Sequence, residues 1–89
     1  MTGRQRKSER AKLYESPVFK NLQARLAANV RRLRAARGWT QEDAAHACDM
    51  PLRLYQGVEG GKDNVTLVTL ARLVEGFGVD VQDLLAPEK

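Results

Sequence analysis

The chain has 89 residues, of which 43% are hydrophobic and 29% are charged, and its net charge is +4. This length predicts one small domain with a thin core, and no apolar run is long enough to span a bilayer or to form a signal sequence. One cysteine, Cys48, and one histidine, His46, exclude an intrachain disulfide and leave too few ligands for a zinc site. We therefore expect a cytoplasmic protein with no metal, no cofactor and no membrane contact.

Charge is distributed unevenly along the chain. Residues 1–37 contain 11 basic and two acidic residues, a net charge of +9, whereas residues 38–89 contain four basic and nine acidic residues, a net charge of −5. A basic first part followed by an acidic remainder indicates a contact with a polyanion, a contact between the two parts, or both.

Residues 1–16 are polar and basic, and we interpret them as a flexible N-terminal arm that precedes a domain at 17–89. The segment has too few apolar residues to become ordered by burial. A solubilising tail and an arm that grips DNA phosphates both fit this composition. The second interpretation assigns phosphate contacts to four cationic side chains: Arg4, Arg6, Lys7 and Arg10.

A first helix is predicted to begin at Ser16-Pro17, because Ser is a good N-cap and Pro fits the first helical position. Apolar residues then recur at helical spacing to about Arg37, and Gly38 predicts the end of the helix. The apolar residues are Phe19, Leu22, Leu26, Val30 and Leu33. Because this helix exceeds what a small core needs, we expect the first three of them to pack beyond the core, against a second copy of the chain.

Two short helices are predicted between residues 40 and 60. Thr40 and Asp43 form a capping-box pattern at the start of the first, and Asp49 is expected to adopt a left-handed conformation in the turn that follows. The second helix opens at Met50-Pro51 and closes at Gly60-Gly61. Two short helices joined by a tight turn are typical of a helix-turn-helix, whose second helix enters the major groove of DNA.

The rest of the chain predicts two more helices. Thr66 is an N-cap for a segment that ends at Gly78, and Asp80 is an N-cap for a short helix that Pro87 stops. The apolar residues of the longer segment are Leu67, Leu70, Leu73, Val74 and Phe77. With no β-type alternation, the sequence predicts an all-α fold: a compact five-helix bundle that contains a helix-turn-helix and carries a basic N-terminal arm.

From about Val30 to Leu85 the sequence resembles the Cro/repressor-type (Xre-like) helix-turn-helix DNA-binding family. The matching segments are LRAARGWTQEDAA, DMP, VEGGK and LVTLARLVEGFGVDVQDLL. The resemblance implies that the five-helix bundle is repressor-like. It also implies a small prokaryotic or phage-type transcriptional regulator, a repressor or controller, that binds double-stranded DNA as a homodimer. It implies neither enzymatic activity nor a small-molecule effector.

Positions of the resemblance assign roles to individual residues. Gln41 and Lys62 match positions that contact backbone phosphates, and Arg34 and Glu59 match an exposed salt bridge that orients the recognition helix. The positions that face the bases are Pro51, Leu52, Arg53, Gln56 and Gly57.

Chemistry adds detail to these assignments. The Arg53 side chain can donate two hydrogen bonds to guanine, and the Gln56 side chain can hydrogen-bond to adenine. Gly57 leaves one of these positions without a side chain. Backbone amides at the start of the first short helix and around Gly60-Gly61 are suited to phosphate, because helix N-termini and turns present unpaired donors.

An alternative interpretation is a protein–protein interaction module on the same fold, with weak or non-specific DNA binding. Its contact surface would consist of Leu52, Leu54 and Tyr55 at the recognition helix. An enzyme is not expected, because His46 and Cys48 lack an orienting partner and no paired-carboxylate or Ser/His/Asp constellation is present.

Overall fold

The computed structural model describes residues 12–88, and its regular structure is entirely helical there. Helical residues at 12–14 precede five helices. These are α1 (Pro17–Ala36), α2 (Gln41–Ala47), α3 (Leu52–Glu59), α4 (Leu67–Phe77) and α5 (Val81–Leu85). The predicted all-α class is therefore confirmed. None of the helices in this range is long and apolar enough to cross a membrane.

Side chains cap four of these helices at their N-termini, as the sequence predicted. Ser16 accepts a hydrogen bond from the Phe19 amide at 3.3 Å at the start of α1, and Thr66 accepts one from Thr69 at the start of α4. Thr40 and Asp80 each form a capping box at α2 and α5. Each cap provides a partner for an amide that the helix itself leaves unpaired, which fixes where the helix starts.

Helices α1, α2 and α3 end in the same way, with a left-handed residue directly after the C-cap. Gly38 and Gly61 have φ angles of 67° and 65°, and Asp49 has a φ of 52°. In each case the next amide returns to a carbonyl of the last turn, as in Met50 to Ala45 at 3.0 Å, so that the chain reverses sharply. The predicted left-handed turn at Asp49 is confirmed.

All five helices contribute to the core: α3 packs on α1 and α2, α5 packs on α1, and α4 packs on α2 and α5. Tyr55 and Val58 face inward, with exposures of 0% and 2%. Leu26 also lies in this core, so the expectation that it packs beyond the core is wrong. Leu67 shares the helical spacing of the buried residues of α4, but as the first residue of this helix it is 81% exposed.

Asn29 joins the C-terminal end of the chain to α1. Its buried amide donates to the carbonyls of Leu84 and Ala86, both at 2.9 Å, and its carbonyl oxygen accepts from Arg32 at 2.8 Å. Both ends of the amide are therefore paired, which makes its burial favourable.

Helices α2 and α4 cross at very short distance, at Gly76. A Cβ at this position would lie 2.7 Å from the Cα of Cys48 and 2.9 Å from the carbonyl oxygen of Ala47, so only glycine permits the crossing. Burial raises the pKa of the Cys48 thiol to about 11, so this thiol stays protonated and unreactive at neutral pH.

Candidate nucleic-acid interface

Helix α3 has one buried and one exposed side. Tyr55, Val58 and Glu59 are buried against the other helices. Arg53 and Gln56, three residues apart on the same face of the helix, are exposed. The core thus holds a short helix whose outer face carries two side chains with hydrogen-bonding groups.

Glu59 is the buried polar group that connects α3 to its neighbours. Arg34 donates from Nε to its Oε2 at 2.5 Å and from Nη2 to its Oε1 at 3.3 Å. Glu59 is 4% exposed and Arg34 is 25% exposed. The structure therefore contains the expected salt bridge, but as a largely buried pair and not as an exposed one.

The charge state of Glu59 follows from these contacts. Burial by itself would raise the pKa of Glu59, but hydrogen bonds, that from Arg34 foremost, outweigh it and lower the pKa. The Tyr55 hydroxyl faces the same carboxylate, although within residues 12–88 it has no hydrogen bond of good geometry. Glu59 is thus an ionised carboxylate at neutral pH, and it accepts hydrogen bonds only.

Gln41 and Gln56 extend this arrangement to the surface. The Gln41 amide donates to Oε1 of Glu59 at 3.1 Å, and the Gln56 amide donates to Oε1 of Gln41 at 3.2 Å. Gln41 is half-buried, whereas Gln56 is exposed. The structure thus brings together two residues to which the resemblance assigned separate roles.

Apolar residues of α3 point mainly into the protein. Leu52 and Leu54 are half-buried and pack against the core, and Tyr55 is completely buried. The hypothesis of a protein contact that includes Tyr55 is therefore wrong, because no partner can reach this side chain. Pro51, the N-cap of α3, is exposed.

Gly57 lies against the loop that follows α3. A Cβ at this position would collide with the Asp63 carboxylate, and the Asp63 carbonyl accepts a hydrogen bond from Gln23 at 3.1 Å. The space that the missing side chain leaves is occupied by Asp63. Sequence reasoning did not find this contact, although a glycine inside a helix is a sign of close approach.

Backbone amides around Gly60-Gly61 are not free to bind phosphate. Gly60 donates to Gln56, Gly61 to Val58 and Lys62 to the Gly57 carbonyl, at distances of 2.9–3.2 Å. The expectation of unpaired donors at this turn is therefore wrong, because the turn closes α3 on itself. The Lys62 side chain, by contrast, is exposed.

The start of α2 carries negative charge. Its first turn contains Glu42 and Asp43, and the backbone hydrogen bond from Thr40 lowers the pKa of Asp43. These carboxylates offset the attraction that a helix N-terminus has for anions.

The predicted arm contacts, Arg4, Arg6, Lys7 and Arg10, lie outside the described residues.

Comparison with known proteins identifies relatives of this fold. Residues 25–87 match the family model of a helix-turn-helix domain. The chain is 33% identical over 73 residues to a hypothetical transcription factor of Neisseria meningitidis, an alignment that covers 82% of this chain and 69% of that protein.

Solved structures agree with this result. The crystal structure of the hypothetical transcription factor NHTF from Neisseria has a TM-score of 0.72 and 32% identity, with 76% of this chain and 78% of that chain covered. The restriction-modification controller protein C.AhdI from Aeromonas hydrophila has a TM-score of 0.66 and 29% identity, with 70% and 94% covered. The chain therefore belongs to the Xre-type helix-turn-helix family, whose members are DNA-binding transcription regulators and not enzymes.

Proposed function

We propose that this protein regulates transcription in the cytoplasm as a homodimer that places α3 in the major groove of double-stranded DNA. The observation that carries the proposal is the exposed side of α3, where Arg53 and Gln56 stand clear of the core while Glu59 is held beneath them. A helix this short reads only a few bases, so two copies on two half-sites about one helical turn apart are needed for specificity.

Each exposed side chain has a definite partner in this proposal. The Arg53 guanidinium donates to O6 and N7 of a guanine, and Gln56 pairs with adenine. Lys62, at the end of α3, contacts a backbone phosphate, which sets the register of the helix without reading sequence.

Cations in the first part of the chain supply further phosphate contacts. The N-terminal arm, with Arg4, Arg6, Lys7 and Arg10, adds positive charge that the acidic start of α2 lacks.

The side chain of Tyr14 packs edge-on against Phe19, with ring centroids 5.4 Å apart, and its hydroxyl accepts from Asn64 at 3.4 Å. Deletion of residues 1–11 therefore isolates the arm, whereas deletion to residue 16 would also remove Tyr14 and the cap of α1.

A second copy also has apolar surface to cover. Val18 and Leu22 on α1, and Leu67 and Val68 on α4, are between 41% and 81% exposed. Small proteins seldom leave large contiguous apolar patches in water.

The likeness to a restriction-modification controller and to a transcription factor supports a repressor or controller role.

The test is a salt titration of binding to random duplex DNA. Contacts to several phosphates predict a log–log slope steeper than about −3, since each phosphate contributes roughly −0.9. Lys62→Ala should weaken binding to every duplex by the same factor and make the log–log slope shallower by about 1. Lys62→Arg, which keeps the charge, should leave the slope unchanged.

Removal of residues 1–11 should reduce the slope further without loss of helicity. Binding that does not respond to salt, or no binding to any duplex, would contradict the proposed function.

A further inference from the structure

We propose that Asp63 reads a cytosine in the major groove, from the place on α3 that Gly57 leaves without a side chain. The inference rests on the proposed function, because it adds a base contact to the surface that α3 presents to DNA. It gives a role in sequence recognition to a residue of the loop after α3, whereas the resemblance assigns the base contacts to residues within positions 51–57.

The Asp63 carboxylate lies where the side chain of residue 57 would begin. A Cβ on Gly57 would be 2.6 Å from Cγ and 2.9 Å from Oδ1 of Asp63. Asp63 is half-buried, so part of its side chain remains accessible. Residues four apart lie on the same face of a helix, and Arg53, four residues before Gly57, is exposed. The carboxylate therefore replaces the missing side chain, one helical turn from Arg53 on the side of α3 that faces DNA in the proposed function.

The backbone on either side of this carboxylate is held by two helices. The Asp63 carbonyl accepts a hydrogen bond from the Gln23 amide of α1 at 3.1 Å. The Lys62 amide donates to the Gly57 carbonyl of α3 at 3.2 Å. The loop is thus ordered before DNA arrives, which reduces the entropy that a contact from Asp63 would cost.

The Asp63 carboxylate has no partner within residues 12–88. The hydrogen bond of Asp63 in that range is made by its backbone carbonyl, and the ion pairs there join other side chains. An ionised carboxylate can only accept hydrogen bonds. A negative charge close to DNA phosphates is also repelled. This carboxylate therefore favours binding only where a donor on a base meets it.

Cytosine is the base that matches such an acceptor. In the major groove it presents the N4 amino group as a donor, whereas thymine presents the acceptor O4 and guanine presents the acceptors O6 and N7. Adenine presents its N6 donor beside the N7 acceptor, which would repel the second carboxylate oxygen. One helical turn rises about 5.4 Å and successive base pairs are about 3.4 Å apart. The cytosine should therefore lie within about two base pairs of the guanine that Arg53 contacts.

Base preference near that guanine tests the inference. We would take a duplex selected by wild type and measure the Kd with each of the four base pairs at every position. At one position, wild type should prefer cytosine to thymine by about tenfold, and Asp63→Ala should remove this preference. Asp63→Ala should also bind the thymine duplex more tightly than wild type does, because the repulsion is gone. As a control for net charge, Glu75→Gln on the exposed side of α4 should keep the cytosine preference.

A modified base isolates the proposed hydrogen bond. One N–H of the cytosine amino group pairs with guanine and the other faces the major groove, so a methyl group on N4 replaces the second N–H and keeps the base pair. Wild type should bind the N4-methylcytosine duplex about tenfold more weakly than the unmodified duplex, whereas Asp63→Ala should bind both equally. Gln23→Ala, which releases the loop from α1, should reduce the cytosine preference of wild type. Thermal unfolding of each variant separates these effects from loss of the fold.

Two results would overturn the inference and leave the proposed function intact. One is a cytosine preference that is equal in wild type and Asp63→Ala, or absent from both. The other is a loss, in Asp63→Ala, of the guanine preference alone, which would mean that Asp63 orients Arg53 and reads no base itself. Absence of any DNA binding by wild type would instead refute the proposed function, and this inference with it.

Discussion

The two sides of α3 are held in place by different means. On the buried side, Tyr55 and Val58 fill the core, and Glu59 forms a salt bridge with Arg34. On the exposed side, Arg53 and Gln56 face outwards, and Gln56 reaches the rest of the protein through the single amide of Gln41. The buried side therefore positions the helix, and the exposed side can vary in sequence with little effect on the fold.

Tyr55 on the buried side is predicted to give the largest effect. Tyr55→Ala should lower the free energy of unfolding by about 3–5 kcal/mol, because it leaves a cavity at a fully buried site. Tyr55→Phe keeps the ring and removes a hydroxyl that has no hydrogen bond of good geometry within residues 12–88, so this change should cost less than about 1 kcal/mol. Arg53→Ala, on the exposed side, should change stability by no more than about 0.5 kcal/mol.

Urea unfolding followed by circular dichroism measures all three. Equal losses for Tyr55→Phe and Tyr55→Ala would mean that the hydroxyl, and not the ring, supports α3. A large loss for Arg53→Ala would remove the distinction between the two sides.

Glu59 should make the next largest contribution to the free energy of unfolding, and this contribution should depend on pH. Because the folded-state pKa is lowered, the ionised carboxylate stabilises the fold fully above the unfolded pKa of about 4.3. This contribution is lost as the pH falls through the lower folded value. Glu59→Gln removes the charge and should cost about 1.5–3 kcal/mol at pH 7, the usual range for hydrogen bonds to charged groups.

Unfolding experiments on wild type and Glu59→Gln between pH 7 and pH 3 provide the check. The difference in stability between the two proteins should shrink below pH 4.3. A difference that stays constant over this range would show that the charge of Glu59 does not stabilise the fold.

Gly57, at the edge between the two sides, should give the smallest effect. Alanine is about 1 kcal/mol more favourable than glycine inside a helix, but a Cβ at residue 57 collides with the Asp63 carboxylate. Gly57→Ala should therefore stabilise by about 1 kcal/mol in an Asp63→Ala background and bring little or no gain in wild type. Equal gains in both backgrounds, in a double-mutant cycle, would show that Asp63 does not occupy this space.

Local sequence signals predicted most of the fold because caps and glycines act within one turn of the helix. Ser16, Thr40, Thr66 and Asp80 act at the predicted helix starts. The spacing of apolar residues could not reveal that Leu67 is 81% exposed among residues 12–88, because exposure at a helix end depends on how far the neighbouring helices extend.

The contacts of the candidate site were harder to predict, because most of them join residues far apart in sequence. The bond between Gln41 and Gln56 spans 15 residues, and its direction depends on the buried charge of Glu59. Asn29 did have a local signal: it lies on the same helical face as Leu26 and Leu33, where a polar residue needs buried partners. Gly57 was also a signal, of close approach by another group, but nothing local to it identified the neighbour as Asp63, which lies in the loop after α3.

The decisive measurement is selection of bound duplexes from a random pool, with wild type and Arg53→Ala in parallel. It tests whether the exposed side of α3 reads DNA bases. We predict an enriched sequence with two-fold symmetry for wild type. In Arg53→Ala the preference for one guanine in each half-site should be lost, at a cost of about 1–3 kcal/mol in binding. A pool without an enriched sequence, or an identical sequence preference for both proteins, would show that this side of α3 does not read DNA bases.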